Sequence, residues 1–123
     1  MPGGDSEFDV VDGMGGNDTI TGNLYDNLLR GGGGNDFIYG NEGDDELRGD
    51  QGTDRIYGDD GNDLIFAGGG DDTVFGGEGN DAIFGGGFLT GGGGSDMLHG
   101  EGGDDVLNST GLDGADFLDG GLG

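Results

Sequence analysis

Aliphatic residues recur along this chain at intervals of nine positions, with glycines and acidic residues between them. With GGGGNDFIY at 31–39 as the template, nonapeptides begin at residues 4, 13, 22, 31, 40, 49, 58, 67, 76, 91, 100 and 111. Leu, Ile or Val stands at the eighth place of every one, from Val11 to Leu118. A shorter stretch, GGGFLT at 85–90, has Leu89 in the corresponding position. A fixed period of this kind indicates a repeat protein whose units stack on one another.

The two halves of each nonapeptide predict different local structures. Places one to five are rich in glycine, which readily adopts left-handed backbone angles, and so predict a turn. Places seven to nine carry β-branched, aromatic and leucine side chains, which favour a three-residue strand. One inward aliphatic side chain per strand is too little for a core, so neighbouring repeats must stack. The predicted fold is all-β, a right-handed parallel β-roll (β-solenoid) with two nonapeptide repeats per coil of about 18 residues and roughly seven coils.

We expect a single domain over residues 1–123, with a degenerate first repeat at 4–12, a shortened repeat at 85–90 and a truncated repeat at 120–123. Each repeat should lie against the repeat two units further along, in the same sheet. The shortened repeat counts as half a coil in this scheme, and Leu89 should face the core. Because the chain ends on GGLG, the opening of another repeat, we expect it to be a segment of a longer protein.

The charge of the chain narrows its possible partners. Asp and Glu number 27 against three Arg and no Lys, which gives a formal net charge of -24. Such a charge repels nucleic acid and anionic lipid and attracts cations. A chain that is this acidic and only 29% hydrophobic stays unfolded without a stabilising ligand. No apolar run is long enough to insert into a membrane, and the absence of cysteine excludes disulfides and thiolate metal sites. The predicted partner is therefore a metal ion.

The sixth place of the nonapeptide is an aspartate in every repeat except the one with Asn27. The whole pattern resembles the G-G-x-G-x-D-x-U-x repeat of the RTX (repeats-in-toxin, hemolysin-type) calcium-binding family, and GGEGNDAIF at 76–84 is a close match. The resemblance covers residues 4–119 and implies a parallel β-roll with calcium between its coils. It also implies a secreted, extracellular protein that leaves the cell by type I secretion and folds in external calcium. The chain would then be the calcium-dependent folding segment of a larger bacterial protein, and not an enzyme.

The loops of such a roll need a cation. Sixth-place carboxylates recur along each edge at about one strand spacing, ~4.8 Å, and repel one another. Calcium accepts about six to eight oxygen ligands, so carboxylates and turn carbonyls together suit it, and we expect about seven strong sites. The predicted metal ligands are Asp18, Asp36, Asp45, Asp54, Asp63, Asp72, Asp81, Asp96, Asp105 and Asp116, with Gly13, Gly31, Gly33, Gly49, Gly52, Gly58, Gly61, Gly76, Gly79, Gly91 and Gly94; Ala67, which replaces the first-place glycine of its repeat, is excluded.

The seven strong sites are expected between pairs of intact loops. In terms of the first residue of each repeat, these pairs are 13/31, 31/49 and 49/67 on one edge, and 40/58, 58/76, 76/91 and 91/111 on the other. Pairs 4/22 and 22/40 should be weaker, because Glu7, Tyr25 and Asn27 depart from the template. Calcium should be missing between Asp72 and Asp105, where the shortened repeat lacks a loop, and present on the edge through Asp81 and Asp96.

Of the alternatives to a folding module, binding of a glycan or a surface remains open, whereas ice binding is disfavoured because the third place of the repeats contains no row of Thr. His99, the only histidine, lies near Ser95 and Asp96 in the sequence, but it takes an outward place on a strand, and we expect no catalytic residues. At the ninth place, Tyr39, Tyr57 and Phe75 are eighteen residues apart and predict an outward aromatic ladder. Such a ladder favours either simple cross-strand pairing or a carbohydrate- or surface-binding module. Charge disfavours acidic polysaccharide, which leaves a neutral glycan or a neighbouring domain as the partner.

Overall fold

The chain forms twelve short strands in a computed structural model that describes residues 9–86, 94–109 and 115–123. Within these residues there is no helix, and therefore none that could cross a membrane. The strands are β1 (Asp9–Asp12), β2 (Thr19–Thr21), β3 (Asn27–Gly33), β4 (Phe37–Glu42), β5 (Glu46–Gln51), β6 (Arg55–Asp60), β7 (Leu64–Gly69), β8 (Thr73–Glu78), β9 (Ala82–Phe84), β10 (Met97–Gly102), β11 (Val106–Asn108) and β12 (Phe117–Asp119).

Successive strands alternate between two six-stranded sheets. One sheet has the order β1-β3-β5-β7-β9-β11, and the other contains the even-numbered strands in the order β12-β10-β8-β6-β4-β2. Every pairing is parallel, and partners in the regular part of the roll are eighteen residues apart, as in Ile38 with Ile56. The predicted all-β parallel solenoid with two nonapeptides per coil is confirmed. The described residues form fewer coils than the seven predicted, because each sheet has six strands.

The core is a double column of eighth-place side chains between the two sheets. From β2 to β10 the eighth-place residue of each strand is buried while its two neighbours face outwards, so each inner coil contributes one aliphatic side chain from each sheet. At the two ends, Val11 and Leu118 are exposed and Leu107 is only partly buried. The buried column consists of Ile20, Leu29, Ile38, Leu47, Ile56, Ile65, Val74, Ile83 and Leu98, with Ala67 beside it. All of these except Ile20 are completely shielded from solvent, which accounts for the strict aliphatic requirement at the eighth place.

The stretch at 85–90 does not form half a coil, and that prediction is wrong. β8 pairs directly with β10, and β9 pairs directly with β11, with partners 24 residues apart instead of eighteen. No strand from 85–90 therefore lies between them. GGGFLT lacks the fourth to sixth places of the template, and its six residues fall between β9 and β10 in the sequence. Leu89 itself lies outside the described residues.

Candidate metal centre

The sixth-place aspartates form one row along each edge of the roll, where the turn enters the strand. The first edge contains Asp18, Asp36, Asp54, Asp72, Asp96 and Asp116; the second contains Asn27, Asp45, Asp63, Asp81 and Asp105. In the middle of the roll these carboxylates are only 1–2% exposed. Carboxylates are rarely buried to this degree unless they are paired or bind a metal.

One oxygen of each carboxylate is used to join neighbouring coils. The backbone N–H of Asp36 donates to Oδ1 of Asp54 at 2.8 Å, and the N–H of Asp54 donates to Oδ1 of Asp72 at the same distance. The same bond recurs on the second edge, where the N–H of Asp45 donates to Oδ1 of Asp63. Each sixth-place side chain therefore lies directly against the coil before its own.

The second oxygen of these carboxylates is buried and has no partner. Such unpartnered Oδ2 atoms belong to Asp18, Asp36, Asp45, Asp54, Asp63, Asp72, Asp81 and Asp105. A buried polar atom without a hydrogen bond costs about 1–3 kcal/mol, and more when it carries charge. Eight of them in regular rows indicate a missing positive partner instead of a packing accident.

First-place glycines leave the space in front of these oxygens. A Cβ added to Gly31 would lie 2.3 Å from Oδ2 of Asp36, and one added to Gly49 would lie 2.4 Å from Oδ2 of Asp54. The same Cβ on Gly49 would lie 2.3 Å from the carbonyl oxygen of Ala67 in the next coil. At these two places a carboxylate oxygen and a backbone carbonyl oxygen therefore converge on a space that the glycine keeps open.

Burial makes these carboxylates hard to ionise in the absence of a cation. It raises the pKa of Asp54 to about 6, that of Asp63 to about 7 and that of Asp72 to about 8. A backbone hydrogen bond opposes each shift, and neighbouring carboxylates, such as Asp54 and Asp96 beside Asp72, add to it. A divalent cation between the coils would offset both the burial and the repulsion.

The donor set fits calcium. Each position between two coils offers carboxylate oxygens from successive aspartates and nearby carbonyl oxygens, all of them hard ligands. Among the described residues, no three acidic or histidine side chains come together at one point. The coordination shell would therefore depend on backbone carbonyls, which suits the flexible geometry of calcium better than the octahedral geometry of magnesium.

The glycines predicted as ligands at the third and fourth places differ in how closely they approach the previous coil. Fourth-place glycines lie tightly against the previous coil, since a Cβ on Gly52 would lie 1.7 Å from the carbonyl oxygen of Gly34. Gly61, Gly79 and Gly94 repeat this contact at 1.9 Å. A Cβ on the third-place Gly33, in contrast, would come no nearer than 3.9 Å to the carbonyl oxygen of Met14. Gly91 lies outside the described residues.

The extra six residues enlarge one loop and change the predicted pairing. Asp72 donates its N–H to Oδ1 of Asp96, and Asp81 donates its N–H to Oδ1 of Asp105. The predicted pair of repeats 76 and 91 is therefore wrong, and so is the prediction that Asp72 and Asp105 share an edge. The predicted pair 91/111 is found, but on the first edge instead of the second, because the N–H of Asp96 donates to Oδ1 of Asp116. Both edges continue past the enlarged loop without losing a carboxylate.

Gly85 holds the first place of the enlarged loop, which the template had given to Gly91. A Cβ on Gly85 would lie 2.5 Å from Oδ2 of Asp96, as in the regular loops. Its N–H donates to the carbonyl of Asn108, just as the N–H of Gly13 donates to the carbonyl of Arg30. The added residues therefore lie between the first and sixth places of this loop.

A second row of side chains, at the fifth place, was missed by the sequence reasoning. The N–H of Asn35 donates to Oδ1 of Asn17 at 2.9 Å, and the N–H of Asn80 donates to Oδ1 of Asn62 at 2.8 Å. These bonds run towards the preceding coil, opposite to those of the sixth place. The signal was present in the sequence, since Asn, Asp, Ser or Thr stands at the fifth place in all but the first and last complete repeats.

The last sixth-place carboxylate has a protein partner of its own. The hydroxyl of Ser109 donates to Oδ2 of Asp116, and this bond lowers the pKa of the Asp116 carboxyl. Asp116 is accordingly absent from the row of unpartnered oxygens. Neither this contact nor the role of Ser109 was predicted from the sequence.

Comparison with known families agrees with this arrangement. A family model that contains four copies of the RTX calcium-binding nonapeptide repeat matches residues 3–24, 21–56, 57–89, 84–111 and 90–123. Together the matches extend over residues 3–123. The chain matches no curated protein and no solved structure at the significance required.

Proposed function

Because the chain belongs to the family of RTX calcium-binding nonapeptide repeats, we propose that it is a folding module that becomes ordered when it binds several calcium ions. The observation that carries this proposal is the set of eight buried, unpartnered Oδ2 atoms along the two edges. Without a cation these oxygens and the net charge of -24 oppose the folded state. With calcium the same oxygens become ligands.

The number of sites follows from the pairing of aspartates. Eight backbone-to-carboxylate hydrogen bonds join aspartates of successive coils in the described residues. We place one ion at each of these positions, one more than the template had predicted, because the enlarged loop leaves both edges continuous. At a free concentration of ten times Kd, each ion would stabilise the fold by about 1.4 kcal/mol. Eight would contribute about 11 kcal/mol, comparable with the stability of a whole domain.

The setting proposed for this module is a larger secreted protein. Family membership and the need for a high concentration of free calcium support an extracellular location. The lack of cysteine is compatible with this location, because the calcium ions would stabilise the fold in place of disulfides. Export by type I secretion in an unfolded state belongs to the same proposal.

A structural role, not a catalytic one, is supported by the surroundings of His99. Its ring stacks on Phe75 at 5.0 Å, and its Nδ1 lies 3.9 Å from Asp119. Ser95 is engaged elsewhere, because its Oγ accepts a hydrogen bond from the N–H of Ala115. The residues that are close in sequence therefore do not form a nucleophile, base and orienting acid.

The aromatic ladder gives little support to the glycan alternative. Tyr39 and Tyr57 stack at 5.0 Å with an interplanar angle of 3°, and Tyr57 stacks on Phe75 at 5.2 Å and 9°. Both ring faces of Tyr57 are thus covered by its neighbours, and both faces of Phe75 are covered by Tyr57 and His99. Because a sugar ring would need a free aromatic face, the ladder is better explained as cross-strand pairing that stabilises the sheet.

Calcium titration of the metal-free chain tests the proposal. We expect circular dichroism to change from an unfolded to a β spectrum as calcium is added, with no equivalent change in magnesium. Asp54→Asn should raise the calcium concentration at the midpoint of the transition severalfold, because it removes a negative charge from the two calcium positions that Asp54 borders. Asp60→Asn is the matched control, since it removes the same charge from an exposed side chain. A β spectrum that persists in excess chelator and ignores calcium would refute the proposal.

A further inference from the structure

The loop at 22–27 differs from the other loops on its edge. Its sixth-place residue is Asn27, whose side chain is 1% exposed, as deeply buried as the aspartates. The N–H of Asn27 donates to Oδ1 of Asp45 at 2.7 Å, so it takes its regular position in the row. The difference lies in the side-chain amide of Asn27, which faces the space where calcium would bind.

Asn27 is closed off by a second asparagine. Its Oδ1 accepts the N–H of Asn23 at 2.8 Å, and its Nδ2 donates to Oδ1 of Asn23 at 3.1 Å. A Cβ on Gly22 would lie 2.5 Å from this Oδ1, so the amide oxygen stands where other loops have an unpartnered Oδ2. Asn27 accordingly contributes no unpartnered buried oxygen to the edge.

The next coil reinforces this closure. Nδ2 of Asn41 donates to the carbonyl oxygen of Gly22 at 2.9 Å. The N–H of Glu42 donates to the carbonyl oxygen of Asn23 at 3.3 Å. The bond to Asn23 has a counterpart in a regular loop, where the N–H of Gly33 donates to the carbonyl oxygen of Met14, so the bond that distinguishes this loop is the one from Asn41 to Gly22.

We propose that Asn23 and Asn27 replace a calcium ion, so that the position between Asn27 and Asp45 is held together without metal. This rests on calcium binding at the aspartate pairs, as proposed above. A cation at this position would face one carboxylate fewer and an amide oxygen that already accepts the N–H of Asn23. The hydrogen bonds that close the loop need no ion, so this loop and its neighbour keep their contacts at calcium concentrations where the aspartate pairs have emptied.

The first test is the number of bound ions. Native mass spectrometry of the chain in saturating calcium should count one more ion in Asn27→Asp than in the wild type, because the carboxylate restores an unpartnered oxygen beside Gly22. Asn23→Ala should leave the count unchanged and destabilise the loop. An Asn27→Asp count equal to that of the wild type, or a lower count in Asn23→Ala, would overturn the inference.

A second measurement on the wild-type chain does not depend on a variant folding. Hydrogen exchange during stepwise removal of calcium should show the amides of Asn23 and Asn27 losing protection after those of Asp54 and Asp63. Simultaneous or earlier loss would overturn the inference while leaving calcium-dependent folding intact. A wild-type chain that binds no calcium would instead overturn the proposed function, and this inference with it.

Discussion

The backbone N–H of Asp72 donates to Oδ1 of Asp96, 24 residues further on, whereas the three earlier bonds on that edge each join residues eighteen apart. The bond is 3.1 Å long, against 2.8 Å in the preceding coils, so the row is maintained across the enlarged loop. The roll therefore keeps an aspartate at the sixth place of each coil on this edge. It tolerates a change in the number of residues between the first and sixth places of a loop.

Deleting residues 86–91 should leave the roll intact. The deletion joins Gly85 to GGGSD at 92–96 and produces a regular loop, GGGGSD. Halving the loop should stabilise the fold by about 0.6 kcal/mol, because less chain entropy is lost on closure. Calcium titration and thermal unfolding of the deletion variant measure this. Loss of the β spectrum at saturating calcium would mean that the six residues have a structural role of their own.

Gly49→Ala should lower calcium affinity roughly tenfold at the neighbouring positions, a loss of about 1.4 kcal/mol. The new methyl group would collide with both Oδ2 of Asp54 and the carbonyl of Ala67. Gly15→Ala is the matched control, because its nearest contact would be an ordinary 3.8 Å from the carbonyl oxygen of Gly33. Isothermal titration calorimetry compares the two variants. Equal affinities would show that the space beside the first-place glycine is not where the ion binds.

The pH dependence of stability should have opposite signs with and without calcium. In the metal-free roll, burial raises the pKa of Asp63 to about 7 and of Asp72 to about 8, from an ordinary value of 3.8. The folded chain then holds more protons than the unfolded chain, so its stability is greatest below about pH 4 and falls as the pH rises towards 8.

In saturating calcium the same carboxylates must be deprotonated to act as ligands, so stability should rise over that pH range. Circular dichroism in metal-free and calcium-saturated buffers between about pH 4 and pH 8 compares the two trends. Slopes of the same sign would indicate that these carboxylates are not the calcium ligands.

Asn62→Ala should destabilise the calcium-bound roll by about 0.5–1 kcal/mol, because the N–H of Asn80 loses its acceptor. The effect is modest since the site is exposed and water replaces part of the bond. Thr53→Ala is a suitable control, because no hydrogen bond from Asp71 to the Thr53 side chain occurs in the described residues. Chemical denaturation at fixed calcium measures both. Equal losses would show that the fifth-place row contributes nothing beyond local propensity.

The sequence predicted the parts of this structure that depend on a single residue type at a single place. The aliphatic column and the carboxylate rows belong to this class, because each follows from one required side chain per repeat. The enlarged loop could not be predicted in the same way. GGGFLT resembles a repeat by composition, and only the pairing of β8 with β10 reveals that it adds no strand.

Hydrogen bonds between two side chains of which at least one departs from the repeat template could not be predicted either. Asn27 was expected only to weaken a site, because its contact with Asn23 is visible only once the loop is folded. Ser109 was not considered, since it precedes the template repeat at 111–119. Its position beside Asp116 corresponds to that of Gly85 beside Asp96, because the N–H of Gly85 donates to the carbonyl of Asn108, the residue before Ser109.

The two rows of side-chain hydrogen bonds give the roll a polarity like that of a filament. Within one loop, the N–H of Asn35 donates back to Asn17, while the N–H of Asp36 donates forward to Asp54. A coil therefore presents one arrangement of donors and acceptors on its leading surface and the complementary arrangement on its trailing surface. Each further coil is therefore added head to tail, with its trailing surface on the leading surface of the coil before it.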